Sequence, residues 1–239
     1  MKSFLNTYRP FYRRNLKLAL PVILSKVGQI TVQLADTAMV GNYGGDDPTP
    51  LAAVSYATSI FFIVFVTVMG LTFGLTPLVG EHYAKGNKSY VKELLRSGFV
   101  LFTLIGALTT LLLIAIRPLF RIMGGIMISS GSDTSISEVI DLALPYYDVI
   151  IWSIFPVMIW GTIKQFLEGI GNTRIAMTTI IISNIINIFL NWVLIFGHLG
   201  FEAMGALGAG VATLIARIAQ CVIMVIYFLY TPKFREYTQ

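Results

Sequence analysis

Long apolar runs, each bounded by glycine, proline, asparagine or charged residues, divide this chain into six segments. They cover residues 16–40, 51–80, 94–116, 139–162, 175–196 and 206–230. A bilayer core about 30 Å thick is crossed by roughly 20 helical residues at 1.5 Å each, so each run predicts a membrane-spanning helix. Breaks are predicted where helix-stopping residues gather, at 41–50, 85–89, 124–137, 169–173 and 197–200. The fold class is therefore all-α integral membrane: a six-transmembrane-helix bundle forming one membrane domain over residues 1–239.

Composition excludes the alternatives. Of 239 residues, 56% are hydrophobic and 12% charged, whereas soluble domains carry roughly 25% charge. A soluble globule of this composition would expose large apolar patches. Disorder requires the opposite balance. The net charge of +5 is scattered in short segments between the apolar runs and forms no continuous stripe, so no nucleic-acid partner is expected. Cys221 is the single cysteine, and His82 and His198 are the two histidines. An internal disulfide and a thiolate zinc cluster are thereby excluded, and a histidine-based metal centre is not expected. Clustered aspartates, a metal-binding histidine motif or a nucleophile with its base are missing from the sequence, so an enzyme is not expected, and no cofactor.

Lysine and arginine set the orientation. Lys2, Arg9, Arg13, Arg14, Lys17, Lys85, Lys88, Lys92, Arg96, Lys164, Arg174, Lys233 and Arg235 all fall on one side of the six predicted spans. The other side has Arg117 and Arg121, while Lys26 and Arg217 lie within spans. Basic residues collect on the cytoplasmic side, which predicts a multi-pass protein of the cytoplasmic (inner) membrane with both termini inside. The basic N-terminus followed by LALPVILS could be read as a cleaved leader. Its apolar stretch is too long and no small-residue cleavage site follows, so the first helix is expected to be retained.

Ionisable groups at membrane depth cost roughly 2.5–3.5 kcal/mol each, which makes every one a functional candidate. Asp36 is the clearest. With Lys26, Gln29 and Gln33 it occupies about 80° of the first helix. Such a stripe must face other helices or a water-filled cavity. The plain reading is interhelical hydrogen bonding, which suits Gln29 and Gln33 but explains a carboxylate poorly. Lys26 can snorkel to the nearby interface. In the fifth span Asn184, Asn187 and Asn191 share about 60° of arc. Their carbonyl and amide groups can solvate a carboxylic acid or offer oxygens to a small cation. The sixth span adds Thr213, Arg217 and Gln220 on one face. Arg217 stays protonated and needs a carboxylate or backbone carbonyls as partner, Asp36 being one candidate. Asp148 shares a face with Trp152 in the fourth span and reads as an interfacial charge.

Proline and glycine mark bends and contacts. Kinks are expected at Pro21, Pro77, Pro145 and Pro156. Gly70 and Gly74 predict a small-xxx-small contact, and the GALGAGVAT run a close approach at the start of the sixth span. Deformable helices of this kind suit a transporter.

With these residues in view, the sequence resembles the N-terminal half of the multidrug and toxic compound extrusion (MATE) family of secondary transporters. LALPVILSKVGQITVQLADTAMVGNYG resembles that family's first helix, with its early proline, its aspartate fifteen residues later and its D-T-x-M-x-G close. LAAVSYATS, TPLVGEHYAKGNK, FLEGIGNTR, NIFLNWVLIFG and GALGAGVATLIAR resemble further family segments in the right order. The likeness covers about residues 12–230.

The resemblance implies one lobe of a two-lobe, twelve-helix transporter that alternates access and expels small cationic or amphipathic substrates in exchange for protons or sodium. It implies that Asp36, Asn187, Asn191 and, less directly, Thr213 bind the coupling cation, sodium at Asp36 being the one metal ion anticipated. Pro21 matches the first-helix hinge, with Gln29, Gln33, Asn184 and Arg217 as cavity-lining candidates. Lys26 stands where a neutral polar residue is common, and Asn191 where some members have aspartate, which opens the choice of coupling ion. Family members are about twice as long and no internal repeat is apparent here, so a missing C-terminal lobe or a second half is an expected partner beside the lipid bilayer. A lipid-linked oligosaccharide flippase or a non-transporting partner subunit are the alternatives. The flippase should carry more cavity cations than Arg217 and Lys26.

Overall fold

The computed structural model describes residues 2–129 and 135–238, and every regular element among them is helical. The middle of the break expected at 124–137 lies outside the described residues, as do the side chains of Lys2, Arg9, Arg14, Arg121 and Arg235. The elements are α1 (Lys2–Gly44), α2 (Thr49–Thr72), α3 (Leu75–Ala84), α4 (Lys88–Ser129), α5 (Ser135–Ile150), α6 (Ile154–Gly169), α7 (Arg174–Phe196), α8 (Gly205–Tyr230) and α9 (Arg235–Thr238). Six stretches are long and apolar enough to cross a membrane, α2–α3 and α5–α6 each counting as one.

The fifth and sixth spans lie within a residue of the expected bounds, and glycine explains why α7 stops. Gly197 takes the left-handed conformation (φ 75°) that ends a helix without a Cβ penalty. Other boundaries differ. α1 extends from Lys2 to Gly44, well past 16–40, and α4 continues to Ser129 through the glycines expected to stop it. Apolar content measures membrane depth, whereas a helix persists into water as long as its backbone bonds do.

Two expected single spans are interrupted, and proline accounts for both. A proline ring clashes with the carbonyl four residues earlier and offers no N–H. For Pro77 that carbonyl belongs to Phe73, where α2 gives way to α3. For Pro156 it belongs to Trp152, in the middle of a 3-10 turn at Ile151–Ser153 that separates α5 from α6. Pro145 and Pro118 instead sit inside α5 and α4.

α8 is central: it packs on α7, α5 and α6, while α1 lies at the edge against α7 and α2. Glycine sets the closest approach. A Cβ on Gly208 would stand 2.7 Å from the Leu194 carbonyl oxygen, so α7 and α8 touch backbone to backbone there. The expected Gly70–Gly74 contact is not made. Gly70 has open space around it, and Gly74 sits at the α2–α3 break, meeting its own chain. The close contact of this span lies further on, where a Cβ on Gly169 would meet Val79 at 2.8 Å.

After α8 the chain turns back through Pro232–Phe234 into α9. Phe234 is fully buried and stacks on Phe228 with centroids 5.4 Å apart. Lys88 pairs with Glu236 at 2.9 Å, tying the start of α4 to the tail.

Candidate cation site between α1, α7 and α8

The tight α7–α8 contact positions a polar cluster one turn below it. Asn187 and Asn191 are one turn apart on α7, and both are buried. Asn191 Nδ2 donates to Asp36 Oδ1 at 2.5 Å and to Asn187 Oδ1 at 3.2 Å. Asn187 Nδ2 donates on to Thr213 Oγ1 of α8 at 3.3 Å. Ser183 reinforces the same pair of helices by donating to the Ala216 carbonyl at 2.9 Å. The structure thus brings Asp36, Asn187, Asn191 and Thr213 together from three helices, starting from one carboxylate.

The Oδ1 atom of Asn191 is buried and accepts no hydrogen bond. A buried unsatisfied acceptor costs about 1–3 kcal/mol, and beside a carboxylate this oxygen is placed to accept from a donor or to ligate a cation. The donor set is one carboxylate with neutral amide and hydroxyl oxygens, the chemistry of a hard monovalent cation or a proton rather than of a transition metal. Among the described residues, no three His, Cys, Asp or Glu side chains are grouped to hold a metal ion.

Other candidates lie apart from this cluster. Gln29 and Gln33 are on the exposed side of α1, and Lys26 bonds Gln29 at 3.3 Å along the same stripe. Asn184 is half-buried beside Gly28, whose added Cβ would meet its Nδ2 at 3.1 Å. Pro21 is buried, and Ser25 donates to its carbonyl at 2.7 Å. Asp148 forms a two-pronged ion pair with Arg117.

Arg217 is held differently from expectation. Its Nη1 donates to Ser153 Oγ at 2.6 Å, and the guanidinium lies over Phe61 and Phe65 at 5.5 and 5.2 Å from their centroids. Asp36 engages Asn191 instead. Ring faces and a hydroxyl therefore make the direct contacts, while the Asp36 carboxylate acts on Arg217 at longer range, charge on charge. Ser153, Phe61 and Phe65 escaped the sequence reading. Pro156 could have flagged Ser153, because it dictates an irregular turn three residues earlier. The two phenylalanines sit in an unbroken apolar run that carries no such signal.

Six long apolar helices around a buried polar cluster define a multi-pass membrane protein. The MatE family model matches residues 21–193, and the chain belongs to that family. The matched stretch includes Asp36, Asn187 and Asn191. Relatives include the multidrug resistance protein NorM of Photobacterium profundum, 28% identical over 97% of this chain and 48% of its own length. A Synechocystis protein named as a probable multidrug resistance protein NorM is 31% identical over 95% of this chain and 46% of its own. Among solved structures, the outward-facing conformation of a multidrug resistance MATE family transporter of the MOP superfamily superposes with a TM-score of 0.77. Its identity is 24%, over 92% of this chain and 45% of that one, and it establishes the shared fold. The chain spans about half the length of the curated relatives it matches.

Proposed function

We propose that this chain forms one lobe of a secondary antiporter that exports small cationic or amphipathic molecules in exchange for protons or sodium ions. The observation that carries the reading is the uncommitted Oδ1 of Asn191 beside the buried carboxylate of Asp36. Asp36, Asn191, Asn187 and Thr213 would hold the coupling cation. Sodium would take their oxygens as ligands. A proton would neutralise Asp36 and give it a hydrogen to donate.

Either event changes the charge on a helix that is otherwise lightly held. α1 lies at the edge of the bundle, and Leu16, Leu20, Ile23, Val27, Ile30 and Leu34 along it are each more than half exposed. Gln29 and Gln33 are exposed on another face of α1, and this open polar side supports a second lobe, or a second half, as its covering partner across a substrate cavity lined by Gln29, Gln33, Asn184 and Arg217. Pro21 would let α1 bend, since it removes one backbone bond. The cation would shift the balance between inward and outward states only through its different affinity for the two. The asymmetry of lysine and arginine supports a cytoplasmic membrane location with both termini inside.

The test is efflux of a fluorescent cationic dye from cells carrying the native gene or Asp36→Asn. The variant should lose efflux driven by an imposed proton or sodium gradient. Efflux equal to wild type would remove Asp36 from the coupling site. Whichever gradient drives the wild type identifies the ion.

A further inference from the structure

On a different face of α8 from Thr213 and Gln220, a groove of about 680 Å³ opens between α4, the α5–α6 turn and α8. Ala107, Leu111 and Ile114 form one wall, Trp152 and Phe155 the second, and Ile218 the third. The hydroxyl in its lining, that of Thr110, already donates to the Gly106 carbonyl at 2.9 Å. What remains is an apolar trough whose walls are largely exposed: Leu111 is 63% accessible and Trp152 57%.

The trough ends at a charge pair. Arg117 lies one turn beyond Ile114, and Asp148 one turn before Trp152. Arg117 Nε and Nη2 donate to Asp148 Oδ1 and Oδ2, both at 2.7 Å. The guanidinium side chain is nevertheless 50% exposed and the carboxylate 38%, and Nη1 takes no part in that pairing. Arg117 is 21 residues beyond Arg96, the basic residue at the other end of the apolar run. At 1.5 Å per residue that separation is about 31 Å, close to the thickness of a bilayer core. Ala107 to Arg117 covers about 15 Å of the same helix, the depth of one leaflet. The groove therefore runs from mid-membrane to the head-group level and ends at adjacent positive and negative charges.

We propose that this groove is a binding site for a zwitterionic phospholipid with a primary ammonium head group. One acyl chain lies along Ala107, Leu111, Ile114, Trp152 and Phe155. The phosphate meets the free edge of Arg117, a geometry that guanidinium suits, and the ammonium meets Asp148. Trp152, at the head-group end, is the residue type that favours this level of a membrane. A net-neutral charge pair complements a net-neutral head group, whereas an anionic glycerol head group would face Asp148 with no cation to offer it. Bulk lipid contact would need only the apolar walls; the paired charges at the mouth are what select the head group.

Native mass spectrometry of the full chain, purified in detergent, tests this with phosphatidylethanolamine and phosphatidylglycerol of identical acyl chains as probes. One phosphatidylethanolamine per chain should bind at least about tenfold more tightly than phosphatidylglycerol, as expected for a charge-assisted hydrogen bond. Asp148→Asn should remove that preference, again by about tenfold. Ala107→Trp, which fills the trough and leaves the ion pair intact, should weaken both lipids together. Equal binding of the two lipids by the wild type would overturn the proposal. So would wild-type lipid binding in both variants, or a dimer that excludes lipid, since the groove would then be filled by a second copy.

Discussion

Asn191 holds Asp36 with its amide nitrogen while the carbonyl oxygen of the same side chain, equally buried, accepts no hydrogen bond. One side chain thus restrains the carboxylate of α1 and presents an unused oxygen beside it. The pair joins residues 155 positions apart, so it exists only when α1 is docked on α7. A site that disappears when α1 separates from α7 is what a cation would need in order to favour one packing over another.

Replacing Asn191 by leucine keeps the bulk and removes both functions. Asp36 would lose its donor and Asn187 Oδ1 would lose its partner. The expected cost is about 1–3 kcal/mol, that of leaving a buried polar group unsatisfied. Thermal unfolding in detergent measures it. If sodium stabilises the wild type, the leucine variant should no longer respond to it. An unchanged melting temperature with an unchanged sodium response would show that Asn191 does neither job.

Gly208 and Gly70 make opposite predictions for the same substitution. A Cβ at Gly208 would stand 2.7 Å from the Leu194 carbonyl oxygen, which is backbone and cannot swing away. Gly208→Ala should therefore force α7 off α8 at a cost of about 1–3 kcal/mol, and should disturb the cluster at Asn187 and Thr213 as well. Gly70→Ala meets nothing within 4 Å and should be neutral or stabilising by up to about 1 kcal/mol, since glycine within a helix is entropically costly. Melting temperatures of the two variants, measured side by side, decide the point.

The contrast between these two glycines shows where sequence reading succeeds. Helical periodicity is local, so the row of Asn184, Asn187 and Asn191 and the single carboxylate of Asp36 stood out before any fold was known. The polar residues of α7 and α8 were legible for the same reason. What a residue meets across the bundle is not local. GALGAGVAT and the Gly70–Gly74 pair look alike as motifs, yet Gly208 reaches another backbone and Gly70 reaches open space. The seat of Arg217 was hidden for a related reason. It is assembled from Ser153, Phe61 and Phe65 on two other segments, and apolar rings give no sign in the sequence that they carry a cation. Kinks are what prolines within apolar runs predict, and at Pro77 and Pro156 the helix breaks outright. The clash with the carbonyl four residues back would have located both breaks.

Ser153 is fully buried and bonded to Arg217. Ser153→Ala removes a charge-assisted hydrogen bond, so about 1.5–3 kcal/mol of stability should be lost. Pro156→Ala should act on the same contact from a distance. It restores a backbone donor, lets the Ile151–Ser153 turn become regular helix, and moves Ser153 away from Arg217. The double variant should then be no worse than Ser153→Ala alone at the Arg217 contact. A double-mutant cycle read by thermal unfolding separates the two effects, and simple additivity would mean the turn does not position Ser153.

Asp47 offers a prediction in pH, because it lies in the turn between α1 and α2, outside the spans. Its Oδ1 accepts the Thr49 backbone N–H at 2.9 Å and the Thr49 hydroxyl at 2.5 Å. Both bonds favour the charged form, and the hydroxyl bond followed by the backbone bond holds the Asp47 carboxyl below its ordinary value. A depressed carboxyl stabilises the fold above its unfolded pKa, and the contribution disappears as pH falls through the lower folded value. The carboxyl carbon of Asp47, followed by NMR in the folded protein, should therefore titrate below about 3.9, the reference for aspartate. Thr49→Val removes the hydroxyl donor and keeps the backbone one, so the midpoint should move part of the way back. A midpoint already at the reference value in the wild type, or one unmoved by the valine, would show that this turn does not hold the start of α2 through Asp47.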